Sequence, residues 1–147
     1  MNLSPAGETL IKGFEQCRLV PYKDGGGVWT WGWGHAKGPH EEVPDSVTQE
    51  QADAQFDYDA SGAVADVSSL FDSDVPQNVF DALCCFLYNV GLSQLRAPPH
   101  RTLDAIKARD WTTAGTRMLT WCHDNGKYVQ GLYNRREKEV ALLQSAP

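Results

Sequence analysis

The sequence predicts an α+β chain, mostly helical, folded as one domain. Three observations carry this. A single pair of β-like runs, RLVPYK and VWTWGWG, is interrupted by three consecutive glycines, Gly25 to Gly27. Outside that stretch the apolar residues recur at three- and four-residue spacing, the helical pattern. The 147 residues contain no internal repeat, low-complexity tract or linker, and that length can bury a real core in one unit.

The elements follow in order. Ser4-Pro5 reads as a hydroxyl N-cap and a proline at the first helical position. Leu10, Ile11 and Phe14 give that helix an apolar stripe, and Glu15 falls at its end beside the stripe. The glycine-broken hairpin comes next. If its second run is a strand, Trp29, Trp31 and Trp33 point to one face and Thr30, Gly32 and Gly34 to the other. Packing is the expected role for at least two of these tryptophans. Gly32 and Gly34 offer no side chain, which would let a ligand approach the backbone closely.

After a polar loop, Thr48 with Gln51 forms a capping-box signature. A long helix is predicted over 48–70, with Ala52, Phe56, Ala60, Val64 and Val67 inward. Pro76 opens a further helix with Val79, Leu83, Phe86, Leu87 and Val90 on its apolar face and Gly91 as its C-cap. This least polar segment is the expected core helix. Leu103 to Trp121 reads as two short helices about Asp110, with Trp111, Ala114, Met118 and Trp121 packed inward. Gly126 and Gly131 mark turns. A last helix is expected over 131–144 with Leu132, Val140 and Leu143 inward, and Arg135 four residues from Glu139.

The stretch YKDGGGVWTWGWGH resembles the Y-x-D-x-x-G-x-x-T-x-G-x-G-H segment of the bacteriophage-type lysozymes (phage endolysins, glycoside hydrolase family 24). Glu15, Asp24 and Thr30 stand at the spacing of that family's catalytic triad. FDALCCFLYNVG and WCHDNGKYVQGLYNRREKEVALL resemble two further family segments, so the likeness runs over nearly the whole chain. The acidic region 41–75 and the tripled glycine are its least family-like parts. The resemblance implies a lysozyme-like two-lobed fold. A small β-hairpin or sheet lobe (about 16–60) is joined by the long helix to a larger helical lobe (the N-terminal helix and about 61–147), with the substrate cleft between them.

Glycoside hydrolysis needs a proton for the leaving oxygen and management of positive charge at the anomeric carbon, and two carboxyl groups supply both. Glu15, at a partly shielded helix end, is assigned as the general acid, since burial disfavours a charge. Asp24 is assigned to the attacking water, and Thr30 would hold that water. The Thr30 assignment implies an inverting route. By resemblance, Arg135 should reach Glu15, and His35 should pair with Asp59 on the long helix. Tyr88 and Asn89 should come near the cleft, where Asn89 is placed to bond an N-acetyl group or else merely ends its helix. Gly34 is assigned to substrate binding.

The substrate implied is peptidoglycan, cut at the β-1,4 bond between N-acetylmuramic acid and N-acetylglucosamine, in lysis of a bacterial host by a monomer. No metal or organic cofactor is expected, and no Cys/His spacing suits zinc. Cys17, Cys84, Cys85 and Cys122 are expected as free thiols, mostly buried. MNLSPAGETLIKGFE lacks a basic segment followed by an apolar core, and no apolar run reaches membrane-span length. The expectation is synthesis in the host cytoplasm and release to the wall through a holin-like pore, without stable membrane insertion.

Charge is unevenly placed. Residues 41–95 hold eleven acids and no lysine or arginine, whereas residues 96–147 hold nine basic and five acidic groups. The acidic middle argues against nucleic-acid binding. Three rival readings remain. A lytic transglycosylase would cut the same bond with one acid and no water. A non-catalytic wall-binding module should lack one of the acids. Membrane disruption by the basic C-terminal helix would spend an apolar face that packing needs.

Overall fold

The computed structural model describes residues 1–145. The first helix, α1 (Pro5–Glu15), starts where Ser4 Oγ accepts from the Gly7 amide at 3.2 Å. Ser4 also donates its own amide and hydroxyl to the Asp81 carboxylate on a later helix, so the cap is a tertiary tie. The tie leaves little room at Gly7. A Cβ there would lie 2.6 Å from Leu3 and 2.9 Å from Asp81.

The chain then forms a three-stranded antiparallel sheet: β1 (Arg18–Lys23), β2 (Trp29–Gly32) and β3 (His35–Ala36), in that spatial order. Tyr22 pairs with Thr30 and Lys23 with Trp29, and the register shifts between Arg18 and Tyr22. Trp31 is buried and packs edge-on to His35, Trp33 is half-buried, and Trp29 stays 38% exposed. The indoles therefore do not share one environment.

Helix α2 (Gln49–Ser68) opens with the expected capping box. Ala52, Phe56, Ala60, Ala63 and Val67 are buried, so the inward stripe passes through Ala63, and Val64 is only half-buried. The β-side end of α2 lies on the sheet, and its length runs along α3 (Gln77–Val90). Every residue of α3 from Val79 to Leu87 is buried, the mark of a helix surrounded on all sides. Gly91 ends it at φ +77°, a conformation few side chains tolerate.

Around α3 pack α4 (Leu92–Leu95), α5 (Arg101–Lys107), α6 (Trp111–Met118) and α7 (Gln130–Leu143). Asp110 caps α6 through the Thr113 amide at 3.0 Å. Three features had no sequence signal: the third strand β3, since the run expected through Gly34 ends at Gly32; α4; and a hairpin of β4 (His123–Asp124) with β5 (Lys127–Tyr128). Asn125 and Gly126, at φ +48° and +76°, supply that hairpin's positive φ, but Gly131 lies inside α7 and marks no turn. On α7 the buried residues are Arg135, Arg136, Glu139 and Leu143, with Leu132 and Val140 only half-buried.

A second apolar cluster joins α1, α2 and α3 through Ile11, Phe56, Ala60 and Cys85, with Phe14, Trp33 and Tyr88 against it. Leu83 is fully buried at the centre of the larger core. Leu83→Ala is expected to cost about 2–5 kcal/mol, read as a lowered denaturation midpoint with an unchanged slope.

Candidate active site

Glu15 is the last residue of α1. Gln16 follows at φ +49°, so the helix stops abruptly and the carboxyl group stands at its C-terminal end. The helix dipole disfavours a negative charge there. The compensating charge comes from α7, where Arg135 Nη1 donates to Glu15 Oε1. The Arg135 side chain is 6% exposed and its other donors are engaged: Nε with Glu139 Oε1 at 3.0 Å and Nη2 with the Cys85 carbonyl at 3.2 Å. Phe14 lies beneath the guanidinium at 4.9 Å.

Arg136 completes the cluster, fully buried. Its Nη2 donates to Asn89 Oδ1 at 2.8 Å and to Glu139 Oε1 at 3.1 Å. Its Nε lies 3.0 Å from Glu139 Oε2, a charge contact outside hydrogen-bond angles, and Nη1 has no protein partner among the described residues. Desolvation pulls the Arg135 guanidinium down, yet the carboxylates of Glu15 and Glu139 outweigh it and the net shift is upward. Burial moves Arg136 downward and Glu139 upward. The pairing expected between Arg135 and Glu15 is present. Arg136 was visible only as the second arginine of a motif.

Glycine at position 34 is explained by Glu15. A Cβ at Gly34, which also has φ +84°, would run into Glu15 Oε2. At Gly32 a Cβ would meet Ala52 of α2 at 3.3 Å. Gly34 thus seats the carboxyl and Gly32 seats α2, and Gly34 also lines a recess of about 330 Å³ with His35, Asp59 and Tyr88. Tyr88 holds this turn from the other side by donating its hydroxyl to the Trp33 carbonyl at 2.9 Å. Burial, with the charges of Asp59 and Glu15, pushes the Tyr88 phenol upward, so it stays a donor.

Asp24 follows β1 at the glycine turn. Its Oδ1 accepts from the Gly26 and Val28 amides at 2.9 and 2.8 Å, which fixes the carboxylate and leaves Oδ2 open. The Asp24 amide donates to the Val28 carbonyl, continuing the register in which Tyr22 faces Thr30. Alternation then puts Asp24 and Thr30 on the same sheet face. Thr30 is 5% exposed, and its hydroxyl donates to the Val28 carbonyl at 3.2 Å, leaving its lone pairs to accept. Asp24 lines a cleft of about 820 Å³ with Gly25, Asn89, Gln94, Trp121 and His123. No hydrogen bond links Glu15 to Asp24 or Thr30 among the described residues.

Asn89 neither ends its helix through the backbone nor floats free. Arginine only donates, so the amide oxygen faces Arg136 and the NH₂ group is left for the cleft.

His35 meets Asp59 as expected, Nδ1 to Oδ2 at 2.8 Å, and also Glu41, Nε2 to Oε2 at 2.9 Å. Glu41 carried no sequence signal beyond lying in a polar loop. Two carboxylates each accept a hydrogen bond, so both ring nitrogens carry protons. The Asp59 bond is the largest cause of a pKa raised to about 9, opposed by burial and reinforced by Glu41.

The fold and this site can be set beside known proteins. The family model for phage lysozyme matches residues 12–139. The chain belongs to the phage lysozyme family. The endolysin of Acyrthosiphon pisum secondary endosymbiont phage 1 is 32% identical over 150 residues, which cover 99% of this chain and 100% of that protein. The endolysin of Bacillus phage B103 is 36% identical over 145 residues, 97% of this chain but 54% of that longer protein. A relative from Enterobacteria phage P21, named a SAR-endolysin, is 31% identical over 132 residues, 88% of this chain and 78% of that one. The solved endolysin from Escherichia coli O157:H7 phage FAHEc1 superposes with a TM-score of 0.83 at 30% identity, covering 99% of this chain and 94% of that one. The α+β, mostly helical lysozyme-like fold read from the sequence is therefore correct, and this lysozyme is a glycoside hydrolase.

Two outcomes are expected of this geometry. Gly34→Ala is expected to cost about 1–3 kcal/mol and to lower activity out of proportion to the loss of fold, because the new Cβ displaces Glu15. The His35 value lies above its ordinary 6.5, so its stabilisation is complete below about pH 6.5 and fades as pH rises through about 9. Urea titrations near pH 6 and near pH 10 should show a larger loss for the native chain than for His35→Asn.

Proposed function

We propose that this lysozyme is an endolysin that hydrolyses the β-1,4 bond between N-acetylmuramic acid and N-acetylglucosamine in peptidoglycan, with Glu15 as general acid and Asp24 and Thr30 positioning the water. One observation carries the reading: Arg135 occupies Glu15 Oε1, so a proton on this carboxyl resides at Oε2, the oxygen left for a leaving group. The Glu15 side chain is 17% exposed, enough to meet a ligand.

On the sheet face, Asp24 Oδ2 and Thr30 Oγ1 are both available acceptors. A water donating one proton to each turns its lone pair outward to the anomeric carbon, which suits single displacement with inversion. Asn89 offers its amide NH₂ to a carbonyl oxygen such as that of an N-acetyl group. Tyr88 and Gly34, which line a recess of about 330 Å³ with His35 and Asp59, are assigned to substrate binding, while Tyr88 also holds the turn that seats Glu15. His35 with Asp59 and Arg135 with Glu139 support the catalytic groups. The lobes divide into about 16–60 on one side and the N-terminal helix with about 61–147 on the other, with the Asp24 cleft between them.

The enzyme acts as a monomer on the cell wall of the host in which it is made. Release through a holin-like pore is the proposed route. The SAR-endolysin name of the phage P21 relative makes release the point on which relatives are to be compared.

The test is turbidity loss of outer-membrane-permeabilised Gram-negative cells. Glu15→Gln and Asp24→Asn are each expected to lower the clearing rate by about 10²-fold or more while keeping the circular dichroism spectrum. The products should carry a reducing end that borohydride reduces. An anhydromuramoyl end would establish a transglycosylase instead, and equal clearing by the variants would overturn the site.

A further inference from the structure

Asn125 and Gly126 form the tip of the β4–β5 hairpin. The chain has five asparagines, Asn2, Asn78, Asn89, Asn125 and Asn134, and only Asn125 precedes a glycine. Leucine, valine, valine and arginine follow the others. A side chain on the following residue shields that residue's amide, and glycine offers no shield. Both Asn125 and Gly126 are exposed, and a Cβ placed on Gly126 would meet nothing within 4 Å. The Gly126 amide makes no hydrogen bond among the described residues. The side-chain bonds near this turn belong to its neighbours, Cys122 with His123 and Tyr128 with Gln130, and none holds the Asn125 carboxamide. Strands of two residues give the turn little support, and such tips open locally at low free energy.

The tip also faces the cleft. Asn125 lines the cavity of about 820 Å³, whose ionisable lining residues are Asp24, His123 and Asp124. Asp124 Oδ2 lies 3.6 Å from the place a Cβ on Gly25 would take, so the hairpin meets the glycine turn that follows Asp24. We propose that Asn125 is a self-modification site through which the cleft acquires a carboxylate. In the opened tip the Gly126 amide nitrogen attacks Asn125 Cγ. The new N–Cγ bond closes a succinimide ring, the Cγ–Nδ2 bond breaks, and the side-chain nitrogen leaves as ammonia with the proton of the Gly126 amide. Water then opens the ring at either carbonyl. One opening gives aspartate, and the other gives isoaspartate, whose main chain runs through the former side chain. Either product adds a negative charge to the cavity that holds Asp24 and Asp124. Isoaspartate also puts an extra backbone atom into a turn that pairs Asp124 with Lys127. Like charge opposes the anionic state in which Asp24 is proposed to orient water, so the modified chain works more slowly. That consequence, unlike the modification, rests on the hydrolytic reading above.

The test is ageing of the folded chain in warm, mildly alkaline buffer, followed by peptide mapping and by ammonia release. Asn125 is expected to lose its amide at least about tenfold faster than any other asparagine, since the other four have shielded successors. The loss should quicken with pH, because the attacking amide must shed its proton, and fragmentation of the peptide should find isoaspartate at 125. Asn125→Gly keeps a residue suited to the positive φ and has no amide to lose. Its rate of wall clearing should hold through ageing while that of the native chain falls, and fresh Asn125→Asp should start at the lowered rate. An intact Asn125 after ageing, or a loss no faster than at Asn2, would overturn the site. Loss at Asn125 with clearing undiminished would overturn its effect on the cleft. If the fresh chain clears no wall, mapping and ammonia still decide the modification, and the hydrolytic reading falls separately.

Discussion

The Glu15–Arg135 ion pair is the constraint around which the rest is arranged. It joins the end of the first helix to the last helix across 120 residues of chain. Such a pair contributes little net stability, because desolvating two charges opposes their attraction, whereas removing one partner costs about 3–5 kcal/mol. Its value is positional. Glu139 neutralises the second guanidinium charge, Cys85 and Phe14 form the floor, and Arg136 carries the same network outward to Asn89. One buried cluster thus sets the acid and, through Asn89, a donor on the cleft wall.

The sheet is brought to this cluster by several separate ties. The Trp33 carbonyl accepts from Tyr88, the Trp33 indole donates to Asp53 at 2.7 Å, and His35 binds Asp59. Ala52 closes on Gly32, and Glu15 on Gly34. All of them converge on the short turn after β2, so that turn is fixed from two helices and from the carboxyl itself. Asp24 and Thr30 lie further along the same strands and inherit their position through backbone register.

What was legible in the sequence obeyed short-range rules or a characteristic spacing. Ser4-Pro5 and Thr48 with Gln51 are local hydrogen-bonding devices, and both sit where read. His35 with Asp59, and Arg135 with Glu15, followed from the family pattern and are paired. The misses have separate physical causes. The inner face of α7 was sought among Leu132, Val140 and Leu143, but mutual neutralisation takes Arg135, Arg136 and Glu139 inside, and hydrophobic periodicity is blind to that. Strands of two residues, as in β4 and β5, are too short to alternate. Gly32 and Gly34 did signal close approach, but a sequence does not say whether a ligand or the chain itself approaches. Glu41 reaches His35 from an irregular loop that no pattern describes.

The four cysteines are all unpaired, and three are buried. Burial pushes the Cys84 thiol to about 12, and it moves Cys85 upward as well while that thiol donates to Glu139 at 3.3 Å. Oxidants and disulfide exchange both act on the thiolate, which these two side chains scarcely form at neutral pH. The helix that floors the catalytic cluster is therefore chemically silent toward its redox surroundings. A change of redox potential of order 100 mV would leave these two thiols with no bond to make or break.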